Sequence, residues 1–514
     1  MALTIMQGFH HLIPRSSPET EESPAMSAER TVVLYPGVGM SHLVPMIELA
    51  KVFVRHGLAV TVALVEPPRL ELLGFSAAVA RATADNPSVT FHVLPSPPPS
   101  GGNASNGAAS NTGDHNIVQV MIRHVDAMNA PLRGFLRSLA PSVHALVVDM
   151  FCFGALDVAA ELQLPVYFFY PSGAGAVAVL LNLPIMLARI NDTGSSDSIV
   201  VCPGVPPFKA SELPTIFNGG GAGETAECFL RMSERMAESR GILVNTFESL
   251  ETRAVRALRD GLCVAGGRAM PSVYCVGPLV SGGAAAADTE HECLRWLDEQ
   301  PDQSVVFLSF GSRGTFPKKQ LEEIAAGLEG SEQRFLWVVR SPSVIIDDEA
   351  FAGVPPREPD LDELLPYGFL ERTRGRGLVV RSWAPQVEVL RHRAAGAFVT
   401  HCGWNSTLEG VTAGVPLLCW PLYAEQRLNK VLIVEEMELG VEIEGYNEET
   451  VAAEEVEPKV RWVMASDGGR ALRRRAAEAK DAAAEVLEEG GTSHMAFVQF
   501  LKDMQISNGR SISV

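Results

Sequence analysis

The chain has 514 residues, which is too many for a single hydrophobic core, so two domains are expected. Hydrophobic residues make up 46% and charged residues 20% of the sequence, as in ordinary globular proteins. The formal net charge of −19 is unlike the basic face of a nucleic-acid-binding protein, and no apolar run reaches the roughly 18 residues that span a bilayer, so neither nucleic acid nor membrane insertion is expected.

The first thirty residues carry no regular pattern. Residues 1–30 contain Pro, Ser and Glu without periodicity, and they lack the apolar core of a signal peptide. Glu19, Glu21 and Glu22 are unlike an organellar transit peptide, which is poor in acids. We interpret this segment as a disordered extension, or Met26 as the functional start, and expect a cytoplasmic protein.

The eight cysteines are scattered along the chain, and none forms a CxxC pair. This distribution favours reduced, buried thiols over a disulfide framework or a zinc site. A DxD pattern at 360–362 is of a kind that can hold a divalent metal, but it lies in a proline-rich loop rather than at a strand end. We therefore expect no metal site.

Short β-branched runs alternate with longer helical stretches. In the first half of the chain the predicted strands are 31–35, 59–65, 89–94, 145–149, 166–170 and 242–245. In the second half they are 305–309, 335–339, 378–381, 397–401, 416–420 and 441–443. Continuously apolar strands separated by helices are typical of parallel sheets that are covered on both faces. Because the pattern occurs twice, the sequence predicts an α/β fold of two Rossmann-like, doubly wound domains.

The boundary between the domains is predicted at a run of small residues, GPLVSGGAAAADTE, which forms a linker at about 277–290. The resulting segments are an N-terminal domain at 31–270, a C-terminal domain at 271–486 and a terminal segment at 487–514. Ligands of such sheets bind beyond the carboxyl ends of the strands. Two facing domains would form a cleft with half of the site on each side.

Two candidate catalytic residues follow strands of the first domain. His42 lies after a glycine-bearing turn at the start of a predicted helix, where an imidazole tends to stay neutral and suits a general base; a capping or surface histidine is the alternative. Asp149 ends its strand and is either a turn former or an acid that orients a histidine. The sequence leaves open whether the two residues meet.

Candidate anion-binding residues follow strands of the second domain. Ser312 lies in SFGSRG, where small residues let backbone N–H groups approach an anion. The strand that ends at His401 runs into CGWNSTLEG, in which Asn405, Ser406 and Thr407 are good helix N-caps. A helix N-terminus with such side-chain donors suits a diphosphate, and an ordinary capped helix is the alternative.

Further residues of this region suit the other parts of a nucleotide sugar. Glu409 lies one helical turn after Asn405 and could accept both hydroxyls of a ribose. Trp383 opens an exposed WAPQ turn, which favours stacking on a base over a core position. Glu425 and Gln426 combine an acid and an amide, which suit sugar hydroxyls.

The stretch from Trp383 to Gln426 resembles, along its whole length, the C-terminal signature box of plant UDP-dependent glycosyltransferases that act on small molecules. WAPQ, HCGWNS, GVP and the final EQ pair occur in register, and GMSHLVP, VVDMF, SFGS and FLWVVR support the match over about 31–503. The resemblance implies the GT-B architecture, two Rossmann-like domains facing across a cleft. It also implies that a C-terminal helix, 493–504, crosses back to the first domain.

The resemblance also implies residue roles. His42 would be the base and Asp149 its partner. The residues implied to bind the UDP-sugar are Ser312, Trp383, Ala384, Gln386, His401, Trp404, Asn405, Ser406, Glu409, Glu425 and Gln426. Within this set, the helix N-terminus and His401 would carry the charge of the departing UDP. The acceptor pocket would draw on Met40, Phe151, Pro171 and Ser172.

The implied activity is that of an inverting, metal-independent hexosyltransferase that needs no cofactor beyond its donor substrate. A glutamine at position 426 goes with glucose in this family, whereas histidine there goes with galactose, so UDP-glucose is the expected donor. The acceptor-side pattern is most similar to members that act on flavonoids, chalcones, anthocyanidins and related phenolics, and a monomer is expected. Ser41 and Pro171 depart from the family, which has glycine and threonine near their places. A nucleotide-sugar epimerase on the same architecture and a non-catalytic UDP-sugar or phenol binder are the alternatives.

Overall fold

The computed structural model describes most of the chain. It covers residues 30–66, 75–96, 113–193, 195, 197–217, 223–264, 268–282, 291–342 and 358–507. The predicted N-terminal extension up to residue 29, residues 283–290 of the predicted linker and residues 508–514 therefore lie outside the described residues.

Two parallel sheets organise the described residues. The strands are β1 (Thr31–Tyr35), β2 (Ala59–Leu64), β3 (Thr90–Val93), β4 (Val143–Asp149), β5 (Val166–Tyr170), β6 (Ile199–Val200), β7 (Phe208–Lys209), β8 (Gly241–Val244), β9 (Ser272–Cys275), β10 (Val305–Ser309), β11 (Arg334–Val339), β12 (Gly377–Arg381), β13 (Ala395–Thr400), β14 (Leu417–Cys419) and β15 (Gly440–Glu442). The first sheet has the order β3-β2-β1-β4-β5-β8-β9 and the second β12-β11-β10-β13-β14-β15, while β6 and β7 form a separate antiparallel pair. All twelve predicted strands occur, with ends shifted by at most two residues.

Helices cover both sheets. They are α1 (Met40–Arg55), α2 (Phe75–Asp85), α3 (Gly113–Ala127), α4 (Asn129–Leu139), α5 (Ala155–Glu161), α6 (Ala174–Thr193), α7 (Glu224–Ala237), α8 (Thr252–Arg259), α9 (Glu292–Asp298), α10 (Lys318–Ser331), α11 (Leu361–Leu364), α12 (Phe369–Arg372), α13 (Gln386–Arg391), α14 (Trp404–Ala413), α15 (Gln426–Val431), α16 (Ala453–Ala465), α17 (Asp467–Glu485) and α18 (Thr492–Ser507). Short 3-10 turns at Met150–Cys152, Ala210–Glu212 and Thr215–Phe217 and a π-helical turn at Leu432–Glu436 complete the described elements. The predicted α/β architecture is confirmed.

The central strands β1 and β10 are largely apolar because both faces of each sheet are buried there. In β1, Val33 and Tyr35 pack into one hydrophobic cluster, whereas Val32 and Leu34 pack into another on the opposite face. Successive side chains of a strand point to opposite faces, so an alternating sequence would have left polar groups in one of these cores. Each buried Val or Leu side chain stabilises the fold by about 1.5–3 kcal/mol.

Strand register determines which loops meet at the sheet edges. Tyr35 pairs with Val148, so β1 and β4 end side by side. In the second sheet Ser309 pairs with Thr400, so β10 and β13 also end together. The loops that follow these four strands carry the predicted catalytic and diphosphate-binding residues.

Helix α18 returns to the first sheet. The ring of Phe497 lies 5.0 Å from that of Phe53, and the ring of Phe500 lies 4.9 Å from that of Tyr167. The hydroxyl of Tyr274 donates a hydrogen bond to Asp503 at 2.7 Å. Helix α18 is thereby packed on the first sheet.

Candidate active site

His42 and Asp149 meet at the edge of the first sheet. The Nδ1 atom of His42 lies 2.6 Å from Oδ2 of Asp149, and the other carboxylate oxygen accepts the Phe151 backbone N–H at 3.0 Å. A carboxylate can only accept, so Nδ1 of His42 carries the proton and Nε2 is left as the basic atom. The side chain of Asp149 is 1% exposed and that of His42 is 18% exposed, so the basic ring is the accessible member of the pair.

The electrostatic environment of His42 differs from the sequence-based expectation. Burial disfavours the charged ring, but the Asp149 carboxylate, its hydrogen bond and the more distant Glu425 outweigh burial and raise the pKa of His42 above its ordinary value. The position of His42 in the first turn of α1 had favoured a neutral imidazole. The carboxylate is in direct contact with the ring, so the direction of the pKa shift is opposite to the one that the helix end favours.

The second half of the site begins at the N-terminus of α14. The N-cap is Gly403, and no side chain caps the helix. The prediction that Asn405, Ser406 or Thr407 would be the N-cap was wrong, because the helix begins at Trp404 and places these residues within its first turn. The first N–H groups of the helix are therefore left for a ligand, and the helix dipole makes this end positive.

His401 is held beside this helix end between two glycines. A Cβ atom added at Gly311 or at Gly403 would lie 2.6 Å from Nε2 of His401, and Gly311 has a φ of +74°. Nδ1 of His401 is buried and has no hydrogen-bond partner among the described residues, although a buried polar atom normally has one. Burial lowers the pKa of His401 to about 4, so the ring is neutral at pH 7 and could offer an anion a hydrogen bond but no charge.

Two contacts join α14 to the first domain. Asn405 donates its amide N–H to the backbone oxygen of Ser41 at 2.9 Å, and Trp404 donates its indole N–H to the backbone oxygen of Asn245 at 2.7 Å. Ser41 is helical, so serine serves there as well as the expected glycine. Through the first contact, the positive end of α14 lies one residue away from His42.

A network of polar side chains lies along α14. Gln386 donates its amide N–H to Ser406 Oγ at 2.8 Å and to Glu409 Oε2 at 2.6 Å. Burial raises the pKa of Glu409 to about 7, and the hydrogen bond from Gln386 partly opposes that rise. The sequence suggested Glu409 for the ribose, the family resemblance added Gln386, and the structure places the two side chains in contact.

Trp383 lies in the turn between β12 and α13. Its side chain is 60% exposed, which is unusual for a tryptophan and excludes a core position. The ring of His291 contacts it edge-on, with the ring centroids 5.7 Å apart. The adjacent Ala384 is buried. An exposed indole held by its neighbours can serve as a stacking platform for a base.

Glu425 and Gln426 lie at the start of α15. Glu425 is the N-cap of this helix, and Gln426 is buried. The side-chain oxygen of Gln426 accepts the backbone N–H groups of Leu422 and Tyr423 at 2.8 and 2.9 Å. Gln426 therefore fixes the conformation of the preceding loop through its side-chain oxygen, and its side-chain NH₂ group is left to contact a ligand. Ser312 is exposed directly after Gly311, at the end of β10.

An aromatic wall extends from the catalytic histidine. The ring of Phe151 lies 5.2 Å from that of His42, the ring of Phe229 lies 6.3 Å from Phe151, and the ring of Phe217 lies 5.6 Å from Phe229. Phe151 was predicted from the sequence, but Phe217 and Phe229 were not. No motif surrounds either of them, and only the fold brings them to this edge.

The remaining acceptor candidates surround the same edge. Met40 is exposed at the start of α1. Pro171 and Ser172 are buried directly after β5, the strand that pairs with β4. Ser172 Oγ has no hydrogen-bond partner within the described part of the chain. It is a second buried polar atom that a ligand could satisfy.

Other features bear on metals and membranes. Asp360 accepts the backbone N–H groups of Asp362 and Glu363 and so caps α11, which accounts for the DxD pattern. The described residues contain no group of three or more side chains arranged to hold a metal ion. Among them, too, no helix has both the length and the apolar character needed to cross a bilayer.

The chain is similar to known glycosyltransferases. Residues 267–468 match the family model described as "UDP-glucoronosyl and UDP-glucosyl transferase". The chain is 41% identical to an anthocyanidin 5,3-O-glucosyltransferase from a Rosa hybrid cultivar, over 90% of this chain and 96% of the relative. It is 40% identical to a phloretin 2'-O-glucosyltransferase from Pyrus communis, over 92% and 99% of the two chains.

Solved structures agree with these sequence matches. Phytolacca americana UGT2, complexed with UDP-2fluoro-glucose and pterostilbene, aligns with a TM-score of 0.77 and 33% identity over 93% of this chain and 100% of that chain. The two parallel sheets and this match confirm the predicted GT-B architecture. The chain belongs to the family of plant UDP-glycosyltransferases.

Proposed function

We propose that the protein transfers glucose from UDP-glucose to a hydroxyl of a small phenolic acceptor, giving a β-glucoside and UDP. The observation that carries this proposal is the hydrogen bond from Asn405 to the Ser41 backbone at 2.9 Å. It brings a helix N-terminus suited to an anion next to His42, whose Nε2 has no hydrogen-bond partner among the residues that the structure describes. A transferase needs this combination of a donor anion site and a base for the acceptor.

The reaction is a single in-line displacement. Nε2 of His42 removes the proton from the acceptor hydroxyl, and the oxygen attacks the anomeric carbon opposite the diphosphate. The bond from the anomeric carbon to the phosphate oxygen breaks, and UDP leaves with the electron pair, so the configuration inverts from α to β. Asp149 keeps the proton of His42 on Nδ1 and stabilises the imidazolium that forms. A positioned base contributes about 10²–10⁴-fold to the rate.

The donor is held by the second domain. Trp383 stacks on the uracil, whose edge the Ala384 backbone bonds, and Gln386 and Glu409 hold the ribose. The diphosphate lies on the first turn of α14, whose open end offers a positive potential equivalent to about half an elementary charge. This potential supports a metal-independent mechanism.

The residues that complete the donor site lie on loops around the diphosphate and the sugar. Those at the diphosphate are Ser312, His401, Asn405 and Ser406, and those at the sugar are Trp404, Glu425 and Gln426. Because the indole N–H of Trp404 already donates a hydrogen bond to the Asn245 backbone, we assign the sugar contact of Trp404 to its own backbone. Gln426 supports glucose as the sugar.

A flat phenolic acceptor suits the first-domain side. Phe151, Phe217 and Phe229 offer an aromatic wall next to His42, and Met40, Pro171 and Ser172 surround the same edge. The named relatives act on anthocyanidin and phloretin, and the matched solved structure holds pterostilbene, all of which are phenolics. All eight cysteines are free in the structure, which supports a reducing, cytoplasmic location.

The test is an incubation of the protein with UDP-glucose and a panel of flavonoids, chalcones and anthocyanidins. We expect a glucoside and UDP in equal amounts, with proton NMR showing the β-anomer. Conversion of the free donor to another UDP-sugar without any glucoside would indicate an epimerase. Binding of UDP-glucose without its consumption would indicate a non-catalytic binder. Either result would overturn the proposal.

A further inference from the structure

A partly buried ionic cluster around Lys430 joins the two domains outside the catalytic site. Lys430 of α15 is 7% exposed, and its ammonium nitrogen lies 3.2 Å from Glu212 Oε1 and 3.2 Å from Glu442 Oε2. The hydroxyl of Tyr446 donates to both carboxylate oxygens of Glu212, at 3.0 and 2.9 Å. The Lys430 ammonium also lies 5.2 Å from the centre of the Tyr446 ring. We call Glu212, Lys430, Glu442 and Tyr446 the interdomain clasp.

The clasp is charged and well satisfied. Burial lowers the pKa of Lys430, but the carboxylates of Glu212 and Glu442 outweigh burial and raise the pKa of the ammonium above its ordinary value. Burial and the neighbouring Glu212 carboxylate, opposed by Lys430, raise the pKa of Tyr446 to about 12. A buried ion pair gives little net stability over apolar packing, but breaking one leaves an uncompensated charge. Such a contact is better suited to fixing geometry than to stabilising the fold.

The clasp connects two elements that the proposed reaction must hold together. On the donor side, Lys430 lies one helical turn after Gln426, at the sugar end of the site. On the acceptor side, Glu212 precedes by five residues Phe217, the outer member of the aromatic wall. Arg427 adds a hydrogen bond from the same helix to the Ser211 backbone at 3.1 Å.

We propose that Glu212 is a positioning residue that fixes the acceptor side of the cleft against the sugar-binding helix α15. The proposal rests on the proposed transferase function. With the clasp intact, the acceptor hydroxyl is held at the anomeric carbon and water is kept away. With the clasp broken, the donor still binds, but the acceptor is displaced, and water competes in the reaction UDP-glucose + H₂O → UDP + glucose.

The test compares transfer with hydrolysis in two variants. Glu212→Gln keeps the size of the side chain and removes its charge, while Tyr446→Phe keeps the ring over Lys430 and removes only the hydroxyl. We expect kcat for transfer to fall by about tenfold or more in Glu212→Gln, because small misplacements cost this much. The ratio of free glucose to glucoside should rise in both variants, with the UDP dissociation constant changed by less than about twofold.

The matched control is Glu322→Gln, which removes an exposed ion pair with Lys318 inside the second domain and should leave the ratio unchanged. A variant that is merely less stable would lose transfer and hydrolysis equally. An unchanged ratio in both clasp variants would therefore overturn the inference. Failure of the wild-type protein to glucosylate any phenol would instead overturn the proposed function.

Discussion

Replacement of Asp149 by Asn should prevent His42 from acting as a base while leaving UDP binding unchanged. One oxygen of Asp149 accepts the Phe151 N–H, and the other accepts Nδ1–H of His42 at 2.6 Å. If the Asn oxygen stays on Phe151, its NH₂ group faces Nδ1 of His42. The ring proton then moves to Nε2, the atom that must accept the proton of the acceptor. We expect kcat to fall by about 10²–10⁴-fold, the usual contribution of a positioned base.

The same variant should move the pH profile. His42 acts as a base only when neutral, so kcat/KM rises with pH through its pKa in the free enzyme. That pKa lies above its ordinary value because Asp149 stabilises the charged ring against the effect of burial. In Asp149→Asn this stabilisation is lost, so the residual activity should rise at lower pH than in the wild type.

The assay is a pH series of kcat/KM with one acceptor for both proteins. Because both proteins are assayed with the same acceptor, ionisation of the acceptor affects both pH profiles equally. UDP affinity, measured by calorimetry, shows whether the donor site is intact. Unchanged UDP affinity with a reduced rate and a shifted profile is the expected result. A wild-type-like rate and profile in Asp149→Asn would refute the assigned tautomer and the role of Asp149.

Three further predictions concern the donor site. Burial raises the pKa of Glu409 to about 7, and the ionised carboxylate accepts hydrogen bonds from hydroxyls best. UDP affinity should therefore rise from pH 6 to pH 8 relative to Glu409→Gln, which should bind roughly 10–100-fold more weakly at the higher pH. Gly311→Ala places a Cβ atom 2.6 Å from Nε2 of His401 and should weaken UDP binding by about tenfold or more. Trp383→Ala removes an exposed stacking surface and should cost about 1–3 kcal/mol of UDP binding with little change in thermal stability.

Each of these predictions has a result that would contradict it, and Gly311→Ala also has a matched control variant. Gly375→Ala is matched to Gly311→Ala, because Gly375 also has a positive φ, +85°, but nothing lies within 4 Å of the added Cβ. Both variants carry the strain of about 1–2 kcal/mol of a left-handed residue, and equal UDP affinity in the two would contradict the role given to Gly311. For Glu409, the ionisation of UDP itself affects the wild type and Glu409→Gln equally. If UDP affinity changes with pH in the same way in both proteins, the ionisation of Glu409 does not contribute to binding. A large loss of folding stability in Trp383→Ala would mean that the indole is packed in the hydrophobic core.

The proposed donor half could be drawn from the sequence because most of its residues lie close together in the chain. The strand end at Ser309 follows from a continuous apolar run, the strand predicted to end at His401 ends one residue earlier at Thr400, and the loops after both strands carry the polar residues. The local error at α14 arose because Asn405 and Ser406 have good N-cap propensity, whereas the turn needs Gly403 next to the His401 ring. Close packing around His401 overrides the propensity.

The contacts across the cleft could not be predicted from local pattern. Asn405 and Ser41 are 364 positions apart, and Lys430 and Glu212 are 218 apart, so no spacing rule relates them. β9 (Ser272–Cys275) was also missed. Such features depend on how the two sheets face each other, which only the folded chain determines.

The central claim is that the base lies in one domain and the donor site in the other. The most direct test is His42→Ala, with the rate of glucoside formation and the UDP dissociation constant measured on the same preparation. Glucoside formation should be lost, while the UDP dissociation constant stays within about twofold of the wild type, because the ring is the acceptor's base and the diphosphate lies on α14. A variant that still forms glucoside at the wild-type rate would contradict the claim.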